Sequence, residues 1–184
     1  MNPAVVSSLS APSSPPPARS SDQMVVDAWQ TRTLSDGTRL QLGRTDKEQG
    51  FVVRPDGIFP LEFRRSGVQR CEDGSSRLAN VINRADIVPF SGGHTHPQGR
   101  TERVSGLPGP EDGIMARATG TPAYVISERG VFRISFVENA FRFEQLAGKA
   151  LNPREQGEVA RSVDLWNANG GGSGVKCTFT HSSR

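Results

Sequence analysis

Ser91-Gly92-Gly93-His94-Thr95-His96-Pro97 closes an apolar run that starts at Ala79 and passes through Val81, Ile82, Ile87, Val88 and Phe90. The chain holds three histidines, and two of them stand here, one residue apart. Side chains alternate faces along an extended backbone, so His94 and His96 project from one side of it. Two imidazoles so placed can grip one metal ion. The apolar residues from Leu78 onward predict one buried strand that delivers the pair, and the rest of the fold is read outward from it.

Downstream, residues 98–111 are rich in Gly, Pro and polar residues and read as a loop. Pro110-Glu111-Asp112 then opens a short helix through Ala118, with proline and acids at its start. Strands follow at 121–127, 131–136 and 140–146, the first two joined by a Glu128-Arg129-Gly130 turn. Asn152-Pro153 reads as an N-cap and first helical residue, and the helix over 153–168 carries Val159, Val163 and Trp166 on its apolar face. The Gly-rich run from Gly170 to Gly174 ends it, and 175–180 is a last strand or a tail.

Upstream, Phe51-Val52-Val53 and the alternating Ile58, Leu61 and Phe63 predict two strands turned by Pro55-Asp56-Gly57. Pro60 places the second strand at an edge or a bulge. Residues 64–77 are polar and read as a loop. Asp36-Gly37 between alternating residues predicts an entry hairpin over 25–42. Residues 1–24, rich in Ser, Pro and Ala, cannot bury enough apolar surface to offset their ordering entropy and read as a disordered leader. The expected organisation is therefore a leader over 1–24, one domain over 25–168, and a Gly-rich linker with a strand or tail over 169–184.

The composition narrows the function classes. Hydrophobic content is 34%, the formal charge is +3, and Lys47, Lys149 and Lys176 are the only lysines. The charges are interspersed, so no block reads as a nucleic-acid arm or a polybasic membrane anchor. Cys71 and Cys177 lie far apart without a Cys-x-x-Cys spacing, which excludes a zinc ribbon and leaves two reduced thiols as the simpler reading over one disulfide. No apolar run is long enough to cross a membrane, and no Sec signal peptide is visible. The expected location is the bacterial cytoplasm, or outside it by way of a specialised secretion system.

A hydrolytic zinc site needs three protein ligands, an open position for water and a nearby base. His94 and His96 supply two ligands. Asp112 is the candidate third, since it starts a helix right after the loop. Glu48 is the candidate acid/base, with Glu62 second. Each residue has a plainer reading alone: His94 capping a turn, His96 at the surface, Asp112 as a helix cap, and Glu48 as a solvated loop carboxylate. The combination in this order is what points to a metal.

That combination resembles the JAMM (MPN+/JAB) metallopeptidases, whose pattern is an upstream Glu, then His-x-His-Pro, then Ser-x-x-Asp. The likeness spans roughly residues 45–137 and is nearest to the JAB-like domains associated with bacterial toxins and effectors. It includes Glu48-Gln49-Gly50-Phe51-Val52-Val53 and the hairpin from Tyr124 to Ile134. It implies an α+β fold, a curved mixed β-sheet flanked by helices, with a cytidine-deaminase-like layering. It implies Zn2+ held by His94, His96 and Asp112. Glu48 then takes the proton of the activated water and passes it to the leaving amine. The implied substrate is a protein, ubiquitin-like in much of the family, cut at an isopeptide or peptide bond. The toxin association implies an immunity protein or a secretion chaperone as partner, while the interspersed charges and the lack of a long apolar run argue against a membrane or nucleic acid. The substrate-reading loops are 64–77 and 98–111.

Two departures stand out. Fifteen residues separate His96 from Asp112, more than the family's usual spacing. Gly109 stands where the family has the oxyanion-stabilising Ser, and Ser105 is the residue available to take that role. Two other readings follow: a JAMM-like fold that binds without cleaving, and a toxin of another class, such as a nuclease using the histidines on a phosphodiester.

Overall fold

The structure, a computed structural model, describes residues 18–42, 47–96 and 106–180. Helix α1 spans Ser21–Thr31. The strands are β1 (Gly50–Arg54), β2 (Gly57–Leu61), β3 (Arg65–Cys71), β4 (Ser76–Val81), β5 (Ser91–Thr95), β6 (Ala123–Ser127), β7 (Gly130–Val137), β8 (Ala140–Gly148) and β9 (Cys177–Phe179). Helices α2 (Gly113–Thr119) and α3 (Pro153–Asn169) complete the described elements. The mixed α+β class agrees with the sequence reading.

Six strands form the main sheet in the order β2-β1-β5-β6-β7-β8, and β4-β3-β9 form a second, smaller one. Within the main sheet β5 and β6 are parallel, which requires a crossover, and α2 lies in that connection. The other main-sheet pairs are antiparallel. β2 sits at the edge, where Pro60 removes no ladder donor from an inner strand.

The two faces of the main sheet build two cores. Tyr124 and Ile126 of β6 pack with Phe51, Val53 and Ile58 under α1, whose Val25 and Ala28 face inward. Ala123 and Val125 point the other way, packing with Phe132, Ile134 and Phe141 under Ala116 of α2 and Val159 and Trp166 of α3. His94 is opposite Val125 and Thr95 opposite Ile126 in the β5–β6 register. His94 therefore emerges on the α2/α3 face, while Thr95 turns to the α1 face.

The expected strand from Leu78 to the histidine pair is interrupted. β4 ends at Val81, and a 3-10 turn over Arg84–Asp86, capped by the Asn83 side chain, separates it from β5. Pro89, with no N–H to donate, falls between the two strands. Residues 64–77, expected as a loop, hold β3 and the start of β4, an antiparallel hairpin that pairs Val68 with Leu78. Its turn is closed by Asp73, which accepts from the Ser75 N–H at 2.9 Å.

At the N-terminal end the expected hairpin over 25–42 is only partly present. Val25 to Trp29 are helical, and a single Thr33–Arg39 bridge flanks Asp36-Gly37. The Ser20 side chain caps α1 by accepting from the Gln23 N–H, so the helix begins inside the segment 1–24. Cys71 and Cys177 are not free thiols: they face each other in the β3–β9 register and form a disulfide. Among the described residues, no helix is long and apolar enough to cross a membrane.

Candidate metal centre

β5 carries His94 through the tightest part of the sheet, and His96 follows its last residue. A Cβ on Gly93 would lie 2.3 Å from Phe51 Cζ and 2.5 Å from the Tyr124 carbonyl oxygen. Only glycine fits there, which accounts for the Gly-Gly ahead of the pair. Beyond it, the Gln49 N–H donates to Thr95 Oγ1 at 2.8 Å, and the His96 N–H donates to the Ile126 carbonyl at 2.8 Å. The backbone on both sides of the pair is thus fixed.

His94 Nε2 and His96 Nε2 lie 3.0 Å apart. Asp112 Oδ1 is 3.0 Å from His94 Nε2, and Oδ2 is 3.3 Å from His96 Nε2. Four-coordinate zinc with bonds of about 2.0–2.1 Å has neighbouring donor atoms about 3.3 Å apart, and each of these pairwise spacings is of that order, with a different Asp112 oxygen facing each imidazole. The three side chains are 14%, 15% and 12% exposed, so the triangle is sheltered yet reachable. Glu48 joins the cluster: its carboxylate and the two imidazoles offer ligand atoms all within 4.8 Å of one another.

Local structure sets each donor. Asp112 occupies the N-cap position of α2, yet its side chain makes no capping hydrogen bond. The carboxylate turns back instead and accepts from the Gly109 N–H at 2.6 Å while facing the histidines. His96 Nδ1 pairs with the Leu107 carbonyl at 3.0 Å. A carbonyl only accepts, so Nδ1 carries the proton of the neutral ring and leaves the Nε2 lone pair to the cluster. The segment before α2 is clamped by α3: Ser162 Oγ donates to the Pro108 carbonyl, and Trp166 Nε1 to the carbonyls of Gly109 and Pro110.

The electrostatics suit a cation. Burial works against a charged His96, but the Asp112 and Glu48 carboxylates outweigh it and push the imidazole up to about 9. Burial likewise works against charge on Asp112, yet the flanking His96 and His94 hold its carboxyl well below the usual carboxylate range. The metal-free cluster draws a proton into the place a cation would take.

The structure brings together Glu48, His94, His96 and Asp112. Glu62 lies exposed just past β2, outside the cluster. Ser105 lies outside the described residues. Sequence reasoning missed Asn80, whose Nδ2 donates to Glu48 Oε2. It also missed the Leu107 carbonyl and the Gly109 N–H, because backbone groups carry no sequence signature. Set beside known protein families, curated proteins and solved structures, the chain matches none of them.

Proposed function

We propose that this chain is a zinc-dependent metallopeptidase of JAMM-like chemistry, hydrolysing an amide bond in a protein substrate. The observation that carries the reading is the convergence of His94, His96 and Asp112 at 3.0–3.3 Å with the Glu48 carboxylate beside them. Those three residues would hold the ion, and bound zinc would supply Lewis acidity, lowering the pKa of a water towards about 7 and polarising the scissile carbonyl.

The protein's own groups do the rest. Glu48 receives the proton of the attacking water and returns it to the departing amine. Leu107 and Gly109 keep His96 and Asp112 oriented through their backbone groups. The β3–β4 hairpin and the segment ahead of α2 flank the cluster and supply substrate contacts. The Cys71–Cys177 disulfide suits an oxidising compartment, consistent with an effector or toxin exported by a specialised system. An isopeptide to a ubiquitin-like protein is the first substrate class to test.

A metal-binding module with weak or no hydrolysis is the second reading, and one observation favours it. Gly109 has no side chain, and its N–H is already engaged by Asp112, so it offers no donor to an oxyanion. The experiment is metal analysis of the purified chain with isopeptide and peptide hydrolysis measured in parallel. One ion per chain is expected, lost in His94→Ala and Asp112→Ala. Glu48→Gln keeps the ion and loses hydrolysis. A chain without stoichiometric metal sinks the proposal, and a loaded but inert one leaves the binding module.

A further inference from the structure

We infer that Asn80 is a positioning residue that holds Glu48 off the metal and so keeps a ligand position open for water. The inference rests on the metal reading above and deepens it. Two carboxylates compete for the imidazole pair: Asp112 faces both rings, and Glu48 offers a ligand atom within 4.8 Å of each ring's. Four protein ligands close a zinc site and make it structural, whereas three leave it catalytic. What restrains Glu48 therefore decides which kind of site this is.

The two carboxylates are held in opposite ways. Asp112 has one oxygen towards each imidazole, and its backbone partner, the Gly109 N–H, keeps it there. Glu48 has Oε2 engaged by the Asn80 amide, which comes from another element. Asn80 sits on β4 opposite Ser66 of β3, one residue from the point where the Arg64 N–H donates to the Val81 carbonyl at 2.7 Å. The hairpin that carries it is tied through Cys71 to β9. An amide suits the task. It donates to the carboxylate oxygen and brings no charge of its own.

The test is a Co2+ titration of the metal-free full chain, followed by visible absorption, which reports the coordination number of the ion. In the wild type, Glu48→Gln is expected to leave affinity within about twofold and the bands unchanged. Asn80→Ala frees Glu48 to swing onto the ion, so the bands shift to a more fully protein-ligated form and affinity rises about tenfold. Adding Glu48→Gln to Asn80→Ala abolishes both changes. Asn80→Asp, nearly isosteric and repelling Glu48, gives the same shift and covers the case in which the alanine variant fails to fold. The inference is overturned if Glu48→Gln alone weakens Co2+ tenfold or more, for Glu48 is then already a ligand. It is equally overturned if both Asn80 variants bind and absorb like the wild type. A wild-type chain that takes up no Co2+ is a separate result, one that defeats the metal reading itself and this inference with it.

Discussion

The two sheets of this protein are stabilised by different means. The six-stranded sheet is covered on both faces, and residues such as Phe132, Ile134 and Ile126 are completely buried in it. The three-stranded sheet has little core: Val68 and Leu78, paired across β3 and β4, remain 48% and 44% exposed. It is held by the Cys71–Cys177 disulfide and by polar links. Arg77 bonds to Glu111 at 2.6 Å and to Ser173 at 2.9 Å, and the Glu72 N–H donates to the Lys176 carbonyl. The proposed metal ligands are anchored on the well-packed sheet and on the segments that α3 clamps against it. Asn80, which donates to Glu48, the proposed proton carrier, belongs to the lightly packed one. Binding and chemistry should therefore respond differently to perturbation.

The largest effect is expected where the packed region is opened. Trp166 is fully buried and packs against Phe141 with the rings tilted, 6.0 Å between centroids. Trp166→Ala should cost about 3–5 kcal/mol in urea unfolding, with loss of metal as the clamp on Gly109 and Pro110 goes. A cost under about 1 kcal/mol would mean that α3 is not part of this core. Next in size is the disulfide. It closes a sequence separation of 106 residues, and Cys71→Ser with Cys177→Ser should cost about 2–4 kcal/mol. Hydrogen exchange should rise across 65–81 while β6 and β7 stay protected. Equal loss in both sheets would erase the distinction drawn between them.

Metal removal should follow. At a free concentration about 100 times Kd, a bound ion adds about 2.7 kcal/mol. The pH dependence carries a sign. His96 is raised from 6.5 to about 9, so its protonated form stabilises the metal-free fold fully below about pH 6.5, and that contribution is lost as pH rises towards 9. Asp112 is lowered from 3.8, so its contribution is present above that value and fades as pH falls below it. The melting temperature of the metal-free chain should therefore fall between pH 6.5 and 9. Metal affinity should rise over the same interval, since the ion displaces the proton. A metal-free melting temperature that is flat across that interval would break this account. Smallest of all, Leu78→Ala should change stability by no more than about 0.5 kcal/mol, because the side chain is half exposed. A larger cost would show that this face of the hairpin is covered in solution.

The contrast between the sheets also marks what could be read from sequence. The main sheet writes itself in alternation and apolar runs: β1, β6 and β7 lie where Phe51–Val53, 121–127 and 131–136 predict them. The Asn152-Pro153 start of α3 appears as a capping box with proline in the first turn. His94 and His96 follow from period-two geometry, and Asp112 from its place at the start of a helix. The small sheet leaves no such trace. Arg65 to Cys71 alternate among exposed polar residues, and their order depends on partners far along the chain. The disulfide, the Asn80–Glu48 contact and the Arg77–Glu111 link all join residues tens of positions apart. α1 departs from the expected hairpin because Val25 to Trp29 is a short, mostly apolar run, and such runs suit a strand as well as a helix. Its inward pair, Val25 and Ala28, carries the helical spacing.

Trp166 has an optical consequence. The chain holds two tryptophans, and Trp29 sits under the opposite face of the main sheet, its indole N–H on the Ser127 carbonyl. Trp166 contacts the carbonyls of Gly109 and Pro110, two to three residues from Asp112. With Trp29 replaced by Phe, the remaining emission comes from an indole hydrogen-bonded to the segment that positions Asp112. Under the proposed metal reading, that emission should change as the ion is loaded and released, without any added dye.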